Sequence, residues 1–116
     1  MKAILIIGLP ASGKSTYIEE IRQGAEVLDD FVGRDLPRVE RLIIADPYLC
    51  KERIRLAMKS ALELMGYSVE EIFYENNPEQ CHINAETRPD KKVDGLIDIL
   101  SWEYNPPRVD RKVWNG

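Results

Sequence analysis

Gly8-Leu9-Pro10-Ala11-Ser12-Gly13-Lys14-Ser15, reached from the apolar run Ala3-Ile4-Leu5-Ile6-Ile7, is the stretch on which the reading of this chain turns. It fits G-x-x-x-x-G-K-[ST] at every specified position. The spacing has a physical reason. A loop that wraps backbone N–H groups around phosphate oxygens leaves no room for side chains at its glycines. A helix beginning at Gly13 aims its positive dipole end and unpaired amides at the same anion. Lys14 adds a point charge toward the outer phosphates, and the Ser15 hydroxyl suits magnesium. Thr16 continues the first helical turn. Average residue frequencies give a chance match in roughly one chain of this length in a few hundred. A buried strand before the motif and a helix after it argue against chance.

Reading outward, residues 3–7 have the unbroken apolar character of a central strand covered on both faces. Residues 13–23 are expected as a helix with Tyr17, Ile18 and Ile21 on one face and Gly24 as its stop. A short strand over 25–28 ends at Asp29-Asp30. Residues 31–41, with Gly33 and Pro37, read as a loop, and 42–45 as a third strand ending at Asp46-Pro47. Helical spacing of Ile54, Ala57, Met58, Ala61, Leu62 and Met65 predicts a long helix over 50–65. A fourth strand over 68–74 follows, then a short helix over 78–87 and a last helix over 91–103. Pro106-Pro107 ends the regular structure, and the tail is expected either as an edge strand or loose.

Strands alternating with helices imply parallel strands joined by right-handed crossovers. The expected fold is α/β, a three-layer P-loop NTPase architecture with a short, mostly parallel sheet of four to five strands, as one domain over residues 1–116. Ligands of such sheets sit beyond the carboxyl ends of the strands, where Gly8, Asp29, Asp46 and Glu75 all fall.

Composition narrows the class. The chain has 116 residues, enough for a single core, and a net charge of −4, which counts against broad binding to nucleic-acid backbone. Its two cysteines, Cys50 and Cys81, show no metal-ligand spacing and read as reduced thiols. No apolar run reaches membrane-spanning length, and the apolar start stops at Gly8, so a cytoplasmic protein without membrane contact is expected.

Two strand ends carry acids. Asp29 and Asp30 could orient or deprotonate an attacking hydroxyl, or simply build a turn. Asp46 stands where an acid associated with magnesium closes an apolar strand. Asp46-Pro47 is equally a helix cap followed by proline at the first helical position.

In their order, these features resemble the kinase domain of phage polynucleotide 5′-hydroxyl kinases and the small P-loop kinases around them. The features are the phosphate loop, Asp29-Asp30-Phe31 after the second strand, an apolar strand ending in Asp46, and a long helix beginning near Lys51-Glu52-Arg53. The likeness runs from Met1 to about Tyr104. It implies adjacent first and third strands, ATP as donor and Mg2+ as its metal. By the same likeness, Gly8 to Thr16 hold the nucleotide phosphates, Lys14 acts on them, and Ser15 and Asp46 serve the metal. Asp29 would activate the acceptor hydroxyl, and Arg88 matches the second arginine of the family's lid helix, with Asn84 standing where the first would be. The implied activity is transfer of the γ-phosphoryl group to a hydroxyl, foremost a 5′-hydroxyl polynucleotide end. The short segment 31–41 favours instead a small nucleoside, nucleotide or sugar acceptor. The missing arginine leaves room for a nucleotide-binding module with little catalysis. His82 and Tyr48 read as surface or packing residues, and Trp102 and Tyr104 as core.

Overall fold

The computed structural model describes residues 1–29, 35–87 and 93–115. Four strands, β1 (Lys2–Ile7), β2 (Glu26–Asp29), β3 (Arg41–Ala45) and β4 (Ser68–Phe73), form one parallel sheet in the order β2-β3-β1-β4. The most apolar segment is central because both of its faces are covered. Ala3, Leu5 and Ile7 point into a core shared with α2 (Glu52–Leu64), α3 (Pro78–Ala85) and α4 (Asp94–Glu103), through Leu62, Cys81, Ile97 and Leu100. Ile4 and Ile6 point the other way, against Ile18 and Ile21 of α1 (Lys14–Ile21). The result is three layers: α1, the sheet, and the remaining helices. Leu5, Ile6 and Ile7 are fully buried, each contributing on the order of 1.5–3 kcal/mol through burial.

All four strands end at one edge. β1 runs into the phosphate loop, β2 ends in Asp29 and β3 is followed by Asp46. The described part of the β2–β3 connection is tied to the opposite edge. The Tyr67 hydroxyl donates to the Pro37 carbonyl at 2.7 Å and accepts the Val39 amide at 2.9 Å. Arg38 donates to the Met65 carbonyl at 3.1 Å.

Several elements differ from the sequence expectation in detail. The helix expected over 50–65 is α2, Glu52–Leu64, and a separate 3-10 turn at Pro47–Cys50 precedes it. Asp46 and Pro47 start the turn early, and Lys51, in extended backbone, resets the chain before α2 begins. Tyr104 is buried as expected, but Trp102 is 81% exposed. Two residues on from Leu100, it sits about 200° around the helix from the buried face.

The tail is an ordered edge. Arg111 forms a parallel bridge with Tyr74. The Asp110 and Arg111 amides donate to the Phe73 carbonyl at 2.8 and 3.1 Å, and Phe73 donates its own amide to Asp110 Oδ2 at 2.9 Å. The Arg55 and Arg108 guanidinium groups lie 5.1 and 5.0 Å from the centre of the Phe73 ring, pinning that edge. No helix among the described residues is long and apolar enough to cross a membrane.

Candidate functional site

The loop between β1 and α1 makes two left-handed turns, at Ala11 (φ 64°) and Gly13 (φ 98°). They curl the backbone so that Lys14 can fold back over it. Its Nζ donates to the Gly8 carbonyl at 2.6 Å and the Leu9 carbonyl at 2.8 Å. The ammonium is thereby fixed at the mouth of the loop. The α1 amino end has no side-chain cap and no acid in its first turn, so its amides are not neutralised by α1's own side chains. The Ser12 hydroxyl is buried and has no hydrogen-bond partner among the described residues. A buried orphan hydroxyl of this kind suits a ligand oxygen.

A cleft of about 360 Å³ opens over the loop, lined by Pro10, Ala11, Ser12, Gly13, Lys14 and Ser15. Asp29 lines the same cleft from the end of β2. Ala45, Pro47, Val93 and Leu96 give it an apolar wall. Thus six residues of the motif and one acid fourteen residues beyond it line a common cleft, while Gly8 and Leu9 contribute carbonyls to Lys14 and do not line it. Thr16 is exposed in the first turn of α1 and does not line the cleft. Arg88, with Asp30, Phe31 and Arg34, lies outside the described residues.

Asp46 is buried, and its Oδ1 accepts the Tyr48 amide at 2.8 Å, so the capping role is present. Among the described residues no group of three or more His, Cys, Asp or Glu side chains could hold a metal ion. Magnesium bound mainly by phosphate oxygens and water needs only one or two protein oxygens. Ser15 offers a hydroxyl, a hard oxygen donor, in the cleft, whereas the buried Asp46 carboxylate follows β3 at the same sheet edge without lining the cleft.

Both cysteines are buried. Burial pushes the Cys50 thiol up to about 12, against the opposing pull of the Lys14 ammonium. Burial likewise pushes Cys81 up to about 11. They are neutral packing groups rather than nucleophiles.

Sequence reasoning missed the contacts that grip the loop from outside. Asn84 is buried, and its Nδ2 donates to the Ala11 carbonyl at 2.9 Å and to the Trp114 carbonyl at 2.6 Å. The Trp114 amide donates to the Ser12 carbonyl at 3.0 Å. Arg111 lies 3.8 Å over the Tyr17 ring. Nothing local in the sequence marks these pairs, which join residues far apart in the chain. His82 bridges α3 to α4, its two ring nitrogens each 2.7 Å from a carboxylate oxygen, of Asp94 and of Asp98. Tyr48 is 42% exposed, with Lys51 5.8 Å from its ring centre.

The architecture and phosphate loop define a three-layer P-loop NTPase fold. The chain superposes on a gluconokinase from Sinorhizobium meliloti 1021 with a TM-score of 0.66, over 97% of this chain and 80% of that one, at 14% sequence identity. No protein-family model matches the sequence. An uncharacterized protein of Acanthamoeba polyphaga mimivirus is 32% identical over 110 residues, covering 84% of this chain and 79% of that protein. The chain belongs to the same family as that viral protein.

Proposed function

We propose that this single-domain protein is an ATP-dependent phosphotransferase that moves a γ-phosphoryl group to a hydroxyl acceptor in the cytoplasm. The observation that carries the reading is the cleft lined both by the Lys14-closed phosphate loop and by Asp29. Phosphoryl transfer demands little covalent chemistry from the protein, and mostly positioning and charge stabilisation. The loop amides, the α1 amino end and Lys14 would hold the β- and γ-phosphates and stabilise the charge that builds on them. Ser15 and Asp46 would hold the magnesium, which would supply positive charge against the phosphates. Asp29 would take the proton of the acceptor hydroxyl as its oxygen bonds to the γ-phosphorus. The bond from that phosphorus to the bridging oxygen breaks, and its electron pair leaves with ADP. Arg88 is assigned to the same phosphoryl group on the strength of the family resemblance.

For the acceptor we infer a 5′-hydroxyl polynucleotide end, on the order of motifs from the phosphate loop to Asp46. A small hydroxyl compound such as a sugar acid is the second reading. The short connection from Asp29 to Arg41 and the shared fold with a gluconokinase favour it. The test measures ADP release and label transfer from γ-labelled ATP with a hydroxyl-ended oligonucleotide, and in parallel with a panel of sugars, sugar acids and nucleosides. Acceptor-dependent transfer that is lost in Asp29→Asn, with ATP binding retained, supports the proposal. Tight ATP binding without turnover on any acceptor overturns it in favour of a nucleotide-binding module.

A further inference from the structure

The phosphate loop contains a conformation that its own residues do not favour. Ala11 sits at φ 64°, a region that glycine enters freely and alanine does not. Such a residue stays there only where surrounding contacts over-determine it. At Ala11 the contact comes from outside the loop. Its carbonyl accepts one N–H of the Asn84 carboxamide at 2.9 Å, and the Trp114 carbonyl takes the same nitrogen at 2.6 Å. Asn84 Oδ1 in turn accepts from Gln80 Nε2 at 3.0 Å, which fixes the amide's orientation. The Trp114 amide closes the figure on the Ser12 carbonyl at 3.0 Å. Loop, α3 and tail therefore meet on one buried side chain. A neutral carboxamide matches this task, since its two N–H groups form a fixed fork aimed at two acceptors.

We propose that Asn84 is a positioning residue for phosphate binding, holding Ala11 in its left-handed turn and locking the tail to the loop so that the anion cradle is formed before the ligand arrives. This rests on the reading of the loop as a nucleotide-phosphate site. Apparent affinity scales with the fraction of molecules whose loop is already competent. Removing the fork lets the loop relax, and the affinity for phosphate falls by the lost fraction.

The experiment titrates inorganic triphosphate with magnesium into the full chain by calorimetry, well below each variant's melting temperature. Triphosphate has no base, so contacts of the Trp114 ring with a nucleobase cannot contribute. Asn84→Ala should bind roughly tenfold more weakly than wild type, as expected for losing a buried two-bond tie. A chain ending at Val113, which lacks the Trp114 carbonyl and amide, should also bind more weakly. Adding Ala11→Gly to Asn84→Ala should recover part of the loss, because glycine adopts the turn without help; a merely structural role for Asn84 would show no such rescue. Unchanged affinity in Asn84→Ala, or no recovery with Ala11→Gly, overturns the proposal. If Asn84→Ala is unfolded, the truncated chain carries the test, and wild-type affinity there overturns it. Lys14→Ala separates the two levels of the account: if wild type itself binds no triphosphate, or binds it no better than Lys14→Ala, the nucleotide-site reading fails rather than the role of Asn84.

Discussion

Two glycines with the same backbone preference but different surroundings allow the cost of crowding the phosphate loop to be separated from the cost of strain. Gly13 has φ +98°, and a Cβ built there would lie 2.6 Å from the Trp114 Cβ. Gly24 has φ +81° and nothing within 4 Å of the corresponding position. Gly24→Ala should therefore cost strain alone, about 1 kcal/mol after the compensating loss of unfolded-state freedom. Gly13→Ala carries the same strain and in addition overlaps a carbon atom well inside the ~3.5 Å contact distance. The tail must then lift. That breaks the bond from the Trp114 amide to Ser12 and the bond from Asn84 to the Trp114 carbonyl, each worth about 1 kcal/mol. The total is about 3 kcal/mol. For a domain of this size that means a melting temperature lower by roughly 12 °C, against roughly 4 °C for Gly24→Ala. Urea and thermal unfolding of both variants measure the difference. In a chain ending at Val113 the overlap is gone, and Gly13→Ala should then cost no more than Gly24→Ala does in the full chain. Equal costs for the two substitutions in the full chain, or a Gly13→Ala cost that truncation leaves unchanged, would refute the packing of the tail on the loop.

The His82 bridge is expected to depend on pH. Hydrogen bonds to Asp94 and then Asp98 raise its pKa, and only the imidazolium donates from both nitrogens. With the folded value above the ordinary 6.5, the tie contributes fully below 6.5 and is lost as pH rises through the folded value. The stability difference between wild type and His82→Ala should therefore shrink on going from mildly acid to alkaline solution; a constant difference would mean that the charge is not involved. Cys50, held as a neutral thiol, should resist iodoacetamide in the native chain at mildly alkaline pH and react once unfolded; rapid native labelling would contradict its burial. Trp102→Ser should change stability by no more than about 0.5 kcal/mol. Tyr104→Phe should cost about 1–2 kcal/mol, because the buried Tyr104 hydroxyl donates to the Tyr74 carbonyl. Chemical denaturation of both variants checks the contrast, which reverses if Trp102 is the core residue.

Much of the site was legible because its chemistry is local. The phosphate loop needs glycine, lysine and a hydroxyl at fixed spacing, and the apolar run before it could hardly be anything but a covered strand. The position of Asp29 and Asp46 at one sheet edge was legible because acids at the carboxyl ends of parallel strands share an edge whatever the loops do. The family resemblance implied adjacent first and third strands, and β1 does lie beside β3, with β4 on its other side. What the sequence hid is non-local. Asn84 looks like any polar residue in a short helix, and its role exists only because a tail residue thirty positions later and a loop residue seventy-three positions earlier present their carbonyls to it. Trp102 misled because hydrophobicity was read without its angle on the helix: Ile97, Leu100 and Tyr104 share the buried face, while Trp102 lies across from it. The break at Lys51 was hidden by a helical period that continues through Ile54 and Met58 while the chain before it is still turning on Asp46.

The phosphate cradle is most directly tested by titrating magnesium and ATP into the purified full chain by calorimetry, side by side with Lys14→Ala. Wild type should give saturable binding at one site, and Lys14→Ala should weaken it at least about tenfold, since a charge-assisted contact with phosphate is worth about 1.5–3 kcal/mol. No measurable binding by wild type, or equal affinity in the two proteins, would contradict it.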